Sequence, residues 1–380
     1  MNRNLCTKKA LSLYIHIPFC VQKCNYCDFC SFPRATEDLK ARYVFELVRR
    51  ISSMAEACRG YRVETIYFGG GTPTLLPARD IARVLEAVSA HYSLSDTAEI
   101  SVECNPGTVD GEYLAALRAS GVNRLSVGLQ SSSEAELRLL GRIHTAEDFL
   151  RCMDDARTAG FDNLSADVMF GIPAQTPESF RETLRFALLA EPSHISAYGL
   201  KIEEGTPFGR QREQLVLPDE DSEDEMYRNA VDILMRHGFE RYEISNFARP
   251  GYESRHNLAY WTQKDYLGFG VAAHSYFENE RFGASRDLGA FLRGEDVTES
   301  REAISAEERR REYLMLRMRL ERGVERSDFD LRFGSGAFDR LYGEKLRRYI
   351  AGGFVRETDD GYAFTTAGFR VSNYILSELL

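Results

Sequence analysis

From residue 11 to about residue 200 the chain alternates short β-branched or aromatic runs with amphipathic stretches of helical period. That alternation restricts the fold more than any other feature, because strands separated by crossover helices build a parallel sheet covered by those helices. Six runs read as strands: LSLYIHIPF, VETIYFGG, AEISVECNP, VNRLSVGLQ, NLSADVMFGIP and HISAYGLKI. Helices are expected from near Asp38, Ala78, Asp110, Ala146 and Pro177. Ser133 with Glu136 and Thr145 with Asp148 have capping-box spacing, and Pro177 after Thr176 suits a first helical position. Six βα units make either an open doubly wound sheet or a partial barrel.

The polar residues favour the partial barrel, whose chemistry sits at the C-terminal ends of the strands. Behind the first strand comes CVQKCNYCDFC, with Cys20, Cys24, Cys27 and Cys30, and behind the second comes GGGTP, Gly69 to Pro73. The third strand carries Glu103, the fourth ends at Gln130 and the fifth carries Asp167. An ionisable or amide group in an apolar strand costs ~2 kcal/mol or more if buried without a partner. Any one of these could belong to a structural hydrogen-bond network, but five in phase point to a shared site.

Three thiols on one loop suit a soft metal centre, either zinc or an iron–sulfur cluster. Zinc wants a second Cys-x-x-Cys or a histidine pair downstream, and only Cys30 and scattered histidines are on offer. A cubane cluster takes one cysteine per iron, so three would leave one iron open. A bland cysteine-rich turn remains the third reading. The other cysteines, Cys6, Cys58, Cys104 and Cys152, are scattered and expected to be buried or incidental.

With 380 residues the chain exceeds a single core of ~250 to 300 residues, so more than one domain is expected. The divisions expected are 1–240 for the partial barrel, 241–300 for a loop-rich extension rich in aromatics and glycine, and 301–380 for a smaller C-terminal domain. In the last, a helix, two short strands joined at Asp360-Gly361 and a further helix read as a winged-helix-like α+β module. The net charge of −10 and interleaved signs give no basic face, so nucleic-acid binding is not expected. No apolar stretch approaches the ~20 residues of a membrane span, and the basic start lacks a cleavage signal. A cytoplasmic location is the expectation, with thiols available for metal rather than disulfides.

The stretch YIHIPFCVQKCNYC resembles the signature of the radical S-adenosylmethionine superfamily, Cys-x-x-x-Cys-x-x-Cys with an aromatic before the last cysteine. Its flanks are similar to those of the subgroup holding the oxygen-independent coproporphyrinogen dehydrogenases and the related heme chaperones. The resemblance implies a radical S-adenosylmethionine partial (β/α)6 barrel and a 4Fe-4S cluster on Cys20, Cys24 and Cys27. It also implies S-adenosylmethionine chelating the open iron, which on reduction yields a 5'-deoxyadenosyl radical. Cys30 departs from the pattern: the dehydrogenases place their extra cysteine two residues after the third, not three. A fourth protein ligand would block the cofactor, so Cys30 is expected to be a structural neighbour.

Residue by residue, the same resemblance gives Gly70, Gly71 and Thr72 the methionine end of the cofactor, with Tyr14 against the bound molecule and Tyr26 near its adenosyl group or a second cofactor molecule. It makes Glu103 the acid that binds the first S-adenosylmethionine, and places Gln130, Arg142 of LGRIH and Asp167 where the dehydrogenases bind a second. HNLAYW, His256 to Trp261, matches the His-Asn-x-x-Tyr-Trp motif of the chaperones, whose histidine is associated with heme. Imidazole is a proper axial ligand for heme iron. His274 in GVAAHSYF is a minor candidate.

The dehydrogenases carry a longer segment ahead of the cluster than the 19 residues that precede Cys20 here. The expected function is therefore a heme chaperone delivering heme to a membrane-bound respiratory heme enzyme. The alternative is radical oxidative decarboxylation of the coproporphyrinogen III propionates, in porphyrin biosynthesis. A zinc-stabilised binding module is the third class.

Overall fold

The computed structural model describes residues 8–380; Cys6 lies outside them. Six parallel strands form its centre: β1 (Lys9–Ile17), β2 (Tyr61–Gly70), β3 (Leu94–Cys104), β4 (Arg124–Gln130), β5 (Asn163–Phe170) and β6 (His194–Gly199). They are joined by α1 (Glu37–Met54), α2 (Ala78–His91), α3 (Gly111–Ala119), α4 (Glu134–Leu140), α5 (Ala146–Thr158) and α6 (Pro177–Leu189). Local chemistry sets where the helices begin. Thr36, Asp110, Ser133, Thr145 and Thr176 each accept a backbone N–H of the first turn, and Thr145 with Asp148 completes a reciprocal box. Glu136 does not reciprocate to Ser133; its carboxylate accepts from Ser131, Gln175 and Ser179 and ties α4 to α6.

The period of two along β1 divides two environments. Leu11, Leu13, Ile15 and Ile17 are fully buried against the helices, whereas Ser12, Tyr14 and His16 face the barrel interior. Register aligns the interior residues across strands: Tyr14 lies beside Tyr67, Tyr67 beside Ser101 and Ser101 beside Arg124. One row higher, Glu103, Ser126, Ser165 and His194 are successive neighbours. The partial barrel thus has a polar interior inside an apolar shell, which is why polar residues recur in phase along the sequence.

The region after residue 200 holds more sheet than its loop-like composition suggests. α7 (Glu220–Arg236) is followed by β7 (Glu240–Arg241) and β8 (Asn246–Ala248), and β8 pairs antiparallel with β6. α8 (Arg255–Trp261) is a helix where the HNLAYW stretch reads as loop. Ser254 caps it, and Glu99 accepts the N–H groups of Arg255 and His256. β9 (Tyr266–Phe269) then joins the free edge of β1 in parallel, and β10 (His274–Phe277), β11 (Glu280–Ala284) and β12 (Thr298–Ala303) continue antiparallel. All twelve strands form one sheet.

The C-terminal part has its own core, with Tyr313, Phe329, Phe338, Leu346, Phe364 and Ile375 among its members. Its sheet is β13 (Val324–Glu325), β15 (Gly361–Phe364) and β14 (Val355–Thr358), in that spatial order, between helices. The turn falls at Asp359–Asp360, one residue earlier than the sequence reading, because Thr358 pairs with Gly361. Arg241 ties this part to the barrel, pairing with Glu321 at 2.6 Å and lying 4.0 Å over the Phe369 ring.

Candidate functional site

At the C-terminal ends of β1 to β6 a cavity of about 550 Å³ opens. Of the thirteen site residues expected from sequence, Cys20, Cys24, Tyr26, Cys27, Gly70, Gly71, Thr72, Glu103, Gln130, Arg142 and Asp167 line it; Tyr14 and His256 do not.

The cysteine loop is strapped down on two sides. Asn25 donates its backbone N–H to Leu140 and its side chain to Leu139, while the Phe208 N–H donates to Asn25. On the other side the glycine run crosses the loop's entry, with the N–H groups of Gly71 and Thr72 donating to Ile17 and Phe19 at 2.8 and 2.7 Å. Gly71 is required by this approach: a Cβ there would stand 2.6 Å from the Phe19 carbonyl oxygen and 3.0 Å from Cys20 Sγ. Gly70 has φ +115°, and a Cβ on it would collide with the His16 ring. Burial pushes the Cys20 and Cys27 thiols above their ordinary range.

A chain of hydrogen bonds closes the site. Arg142 donates to the Tyr26 hydroxyl at 2.8 Å and to Asn105 Oδ1 at 2.9 Å; Asn105 donates to Thr72 Oγ1 at 2.8 Å. Asn105 was missed by sequence reasoning although it stands two residues after Glu103, because an Asn before Pro reads as a turn residue. Arg142 Nε is buried without a partner and belongs to a residue lining the cavity. Asp167 accepts from Ser126 and Ser165, and burial raises its carboxyl. Gln130 ends β4 in the left-handed region, φ 67°, a strained backbone for a non-glycine residue.

Glu103 accepts the Gly70 N–H and the Tyr67 hydroxyl, each at 3.0 Å. Burial nevertheless raises its carboxyl to about 7, against the opposing effect of those donors. Tyr67 is the second residue that the sequence did not single out, since an aromatic in a strand is ordinarily core.

Tyr14 lies just behind the cavity. Its ring stacks on Tyr67 at 6.3 Å and its hydroxyl meets His16 Nδ1 at 2.9 Å. His256 is not brought into the cavity: it stands at the barrel floor, 1% exposed, on the first turn of α8. Its Nδ1 meets Thr65 Oγ1 and its Nε2 meets the Tyr260 hydroxyl, both at 2.8 Å. Burial, then the Arg124 charge, hold it down at about 3, so the imidazole is neutral. His274 is exposed on β10. Cys30 is buried, and its carbonyl accepts from His16 Nε2 at 2.9 Å. Cys58, Cys104 and Cys152 are buried as expected, the last two in contact at 3.8 Å.

The donor set fits a cluster with a bound small molecule. Three cysteines of one loop line the cavity, two glycines leave space no side chain can enter, and the lining residue Arg142 keeps an unpartnered guanidinium nitrogen. Among the described residues no group of three or more His, Cys, Asp and Glu side chains is gathered to hold a single metal ion; a cubane takes its thiolates on separate irons.

These features define a radical S-adenosylmethionine fold, and residues 14–187 match the radical SAM superfamily while 304–371 match the HemN C-terminal domain. The coproporphyrinogen III oxidase of Escherichia coli superposes with a TM-score of 0.84 at 25% identity, over 98% of this chain and 90% of that one. Two proteins named heme chaperone HemW are more similar in sequence. That of Lactococcus lactis is 33% identical, over 98% of both chains, and that of Escherichia coli is 36% identical, over 97% of this chain and 98% of its own. The chain belongs to the HemW heme chaperone family of the radical SAM superfamily. Membership implies a 4Fe-4S cluster and S-adenosylmethionine. No described helix is long and apolar enough to cross a membrane.

Proposed function

We propose that this protein binds heme and passes it to a membrane-bound, heme-dependent respiratory enzyme, with a cluster held by Cys20, Cys24 and Cys27 beside S-adenosylmethionine. The observation that carries the reading is the end-to-end similarity to proteins named heme chaperone HemW, 97–98% of this chain. When bound, a reduced cluster can supply an electron to the sulfonium of S-adenosylmethionine. The chain's own residues set the conditions: Gly70, Gly71 and Thr72 give backbone access to the methionine end, and Glu103 offers a carboxylate. Tyr26 flanks the molecule, Tyr14 backs the wall through Tyr67, and Gln130, Arg142 and Asp167 line room for a second. The boundaries at residues 240 and 300 are proposed as divisions of the sequence, the middle segment carrying the heme motif; its strands belong to the barrel sheet and most of its buried apolar residues to the barrel core.

His256 is the proposed axial ligand, and to reach iron its Nε2 must exchange the Tyr260 hydroxyl for the metal. Heme added to the anaerobically reconstituted protein should give a stoichiometric Soret band. Undiminished stoichiometric uptake by His256→Ala would reject that ligand. Porphyrin formed from coproporphyrinogen III, under anaerobic conditions with a low-potential reductant, would replace this reading by the decarboxylase.

A further inference from the structure

The floor of the barrel and the cofactor pocket are joined by one aromatic side chain. The His256 ring lies parallel to Tyr67, centroids 5.0 Å apart and planes at 24°, and the same Tyr67 donates its hydroxyl to Glu103 in the pocket. His256 is itself held on every polar atom. Both ring nitrogens are bonded, and its backbone N–H donates to Glu99 at 3.0 Å. Thr65 and Tyr67 are alternate interior residues of β2, so the imidazole is clipped along the strand that ends in the glycine run. An apolar side chain could fill the volume, yet could not fix Tyr67 against sliding while also meeting Thr65 and Tyr260.

We propose that His256 is a positioning residue for the cofactor acid: its imidazole fixes Tyr67, and Tyr67 holds Glu103 in the orientation that also receives the Gly70 N–H. The proposal rests on the reading of Glu103 as the acid that binds S-adenosylmethionine. Any event that takes the imidazole away, iron ligation included, is then felt at the cofactor pocket, and by linkage the cofactor is felt at the histidine.

The groups facing Glu103 are the Tyr67 hydroxyl and Gly70 N–H, which it accepts from, and the charges of Asp167 and Arg142, with Tyr14, Tyr198 and Tyr260 also acting on it. An ionised carboxylate attracts the cationic cofactor, so affinity should rise as pH passes about 7. Losing the Tyr67 donor raises the carboxyl further and moves that midpoint upward.

The test measures S-adenosylmethionine dissociation constants across pH 6 to 9 on heme-free, cluster-loaded protein. Wild type is compared with Tyr67→Phe, His256→Ala, the double variant and Glu103→Gln, each checked for a native unfolding transition. Tyr67→Phe keeps the ring and its packing, so it reports even where His256→Ala fails to fold. Tyr67→Phe and His256→Ala should each weaken binding about tenfold, the worth of a hydrogen bond to a charged group, and raise the midpoint, whereas Glu103→Gln should weaken binding and abolish its rise near pH 7. For a relay, the double should be no worse than the weaker single. Unchanged affinity and midpoint in Tyr67→Phe, or fully additive losses, would overturn the relay while leaving Glu103 in place. Unchanged affinity in Glu103→Gln would overturn both the relay and the reading beneath it. Heme uptake plays no part in the result, so a failure of heme binding is separately visible.

Discussion

The two ends of the barrel interior hold similar residues in opposite conditions. At the floor, Glu99, Thr65, His256 and Tyr260 meet one another so fully that the histidine has no free polar atom. At the mouth, three cysteines line a cavity, and Arg142, which lines it too, keeps a buried Nε without a partner. A buried polar group with its partners supplied by the chain is structure; one without them beside a cavity has capacity left for a ligand. The floor also fixes what the mouth presents, through Tyr67.

The most severe break of that contrast is at the thiols. Cys20→Ser, Cys24→Ser or Cys27→Ser should abolish the broad iron–sulfur absorption and reduce bound iron to background after anaerobic reconstitution. Cys30→Ser should retain both, because that thiol is buried beside the loop rather than on the cavity wall. Equal iron in all four variants would refute the assignment of ligands.

Next in size is Gly71→Ala. Its Cβ would press on backbone at 2.6 Å, an atom that cannot swing aside, so a loss of about 3 kcal/mol is expected, read as a lowered unfolding midpoint. Gly60→Ala, with nothing within 4 Å, should unfold as wild type does.

What could be read in the sequence divides along the same line. The cysteine loop, GGGTP and the six strands are local patterns, each complete within about ten residues, and the barrel follows from their alternation. The sheet's extension was not legible: Tyr266 pairs with Ser12 across some 250 residues, and the short strands from 266 to 303 are rich in Gly and charge. HNLAYW reads as loop because its helix depends on Glu99, a carboxylate more than 150 residues upstream, to accept its first N–H groups. Asn105 and Tyr67 escaped notice since their roles come from partners on other elements, Thr72 and Arg142 for the first and Glu103 and His256 for the second. Pattern reports a residue's own preference; a relay is a property of three residues together.

Glu103→Gln separates cofactor binding from stability. Its carboxyl is raised when folded, to about 7, so the folded state holds its proton more tightly than the unfolded chain. That contribution to stability is present at low pH and is lost as pH rises from the unfolded carboxylate value through 7. At pH 8 the neutral amide should therefore raise cofactor-free stability by on the order of 2 kcal/mol, with little change at pH 4.5, while cofactor affinity falls. Urea titrations at the two pH values measure it. Equal effects at both would mean that Glu103 is ionised across the range.

The smallest expected effect decides the most about His256. Tyr260→Phe removes only the hydroxyl on Nε2, and the ring's edge contact with the imidazole, 5.0 Å between centroids, can remain. Stability should fall by about 1 kcal/mol, the worth of one hydrogen bond. If Nε2 must leave that hydroxyl to reach iron, removing the competitor should tighten heme binding by about fivefold, the same energy seen from the other side. A structural histidine that never meets iron predicts the stability loss alone. Heme titration of Tyr260→Phe beside its unfolding curve tells the two apart: lost stability with unaltered heme affinity would leave His256 as part of the floor and move the search for the ligand to exposed imidazoles such as His274.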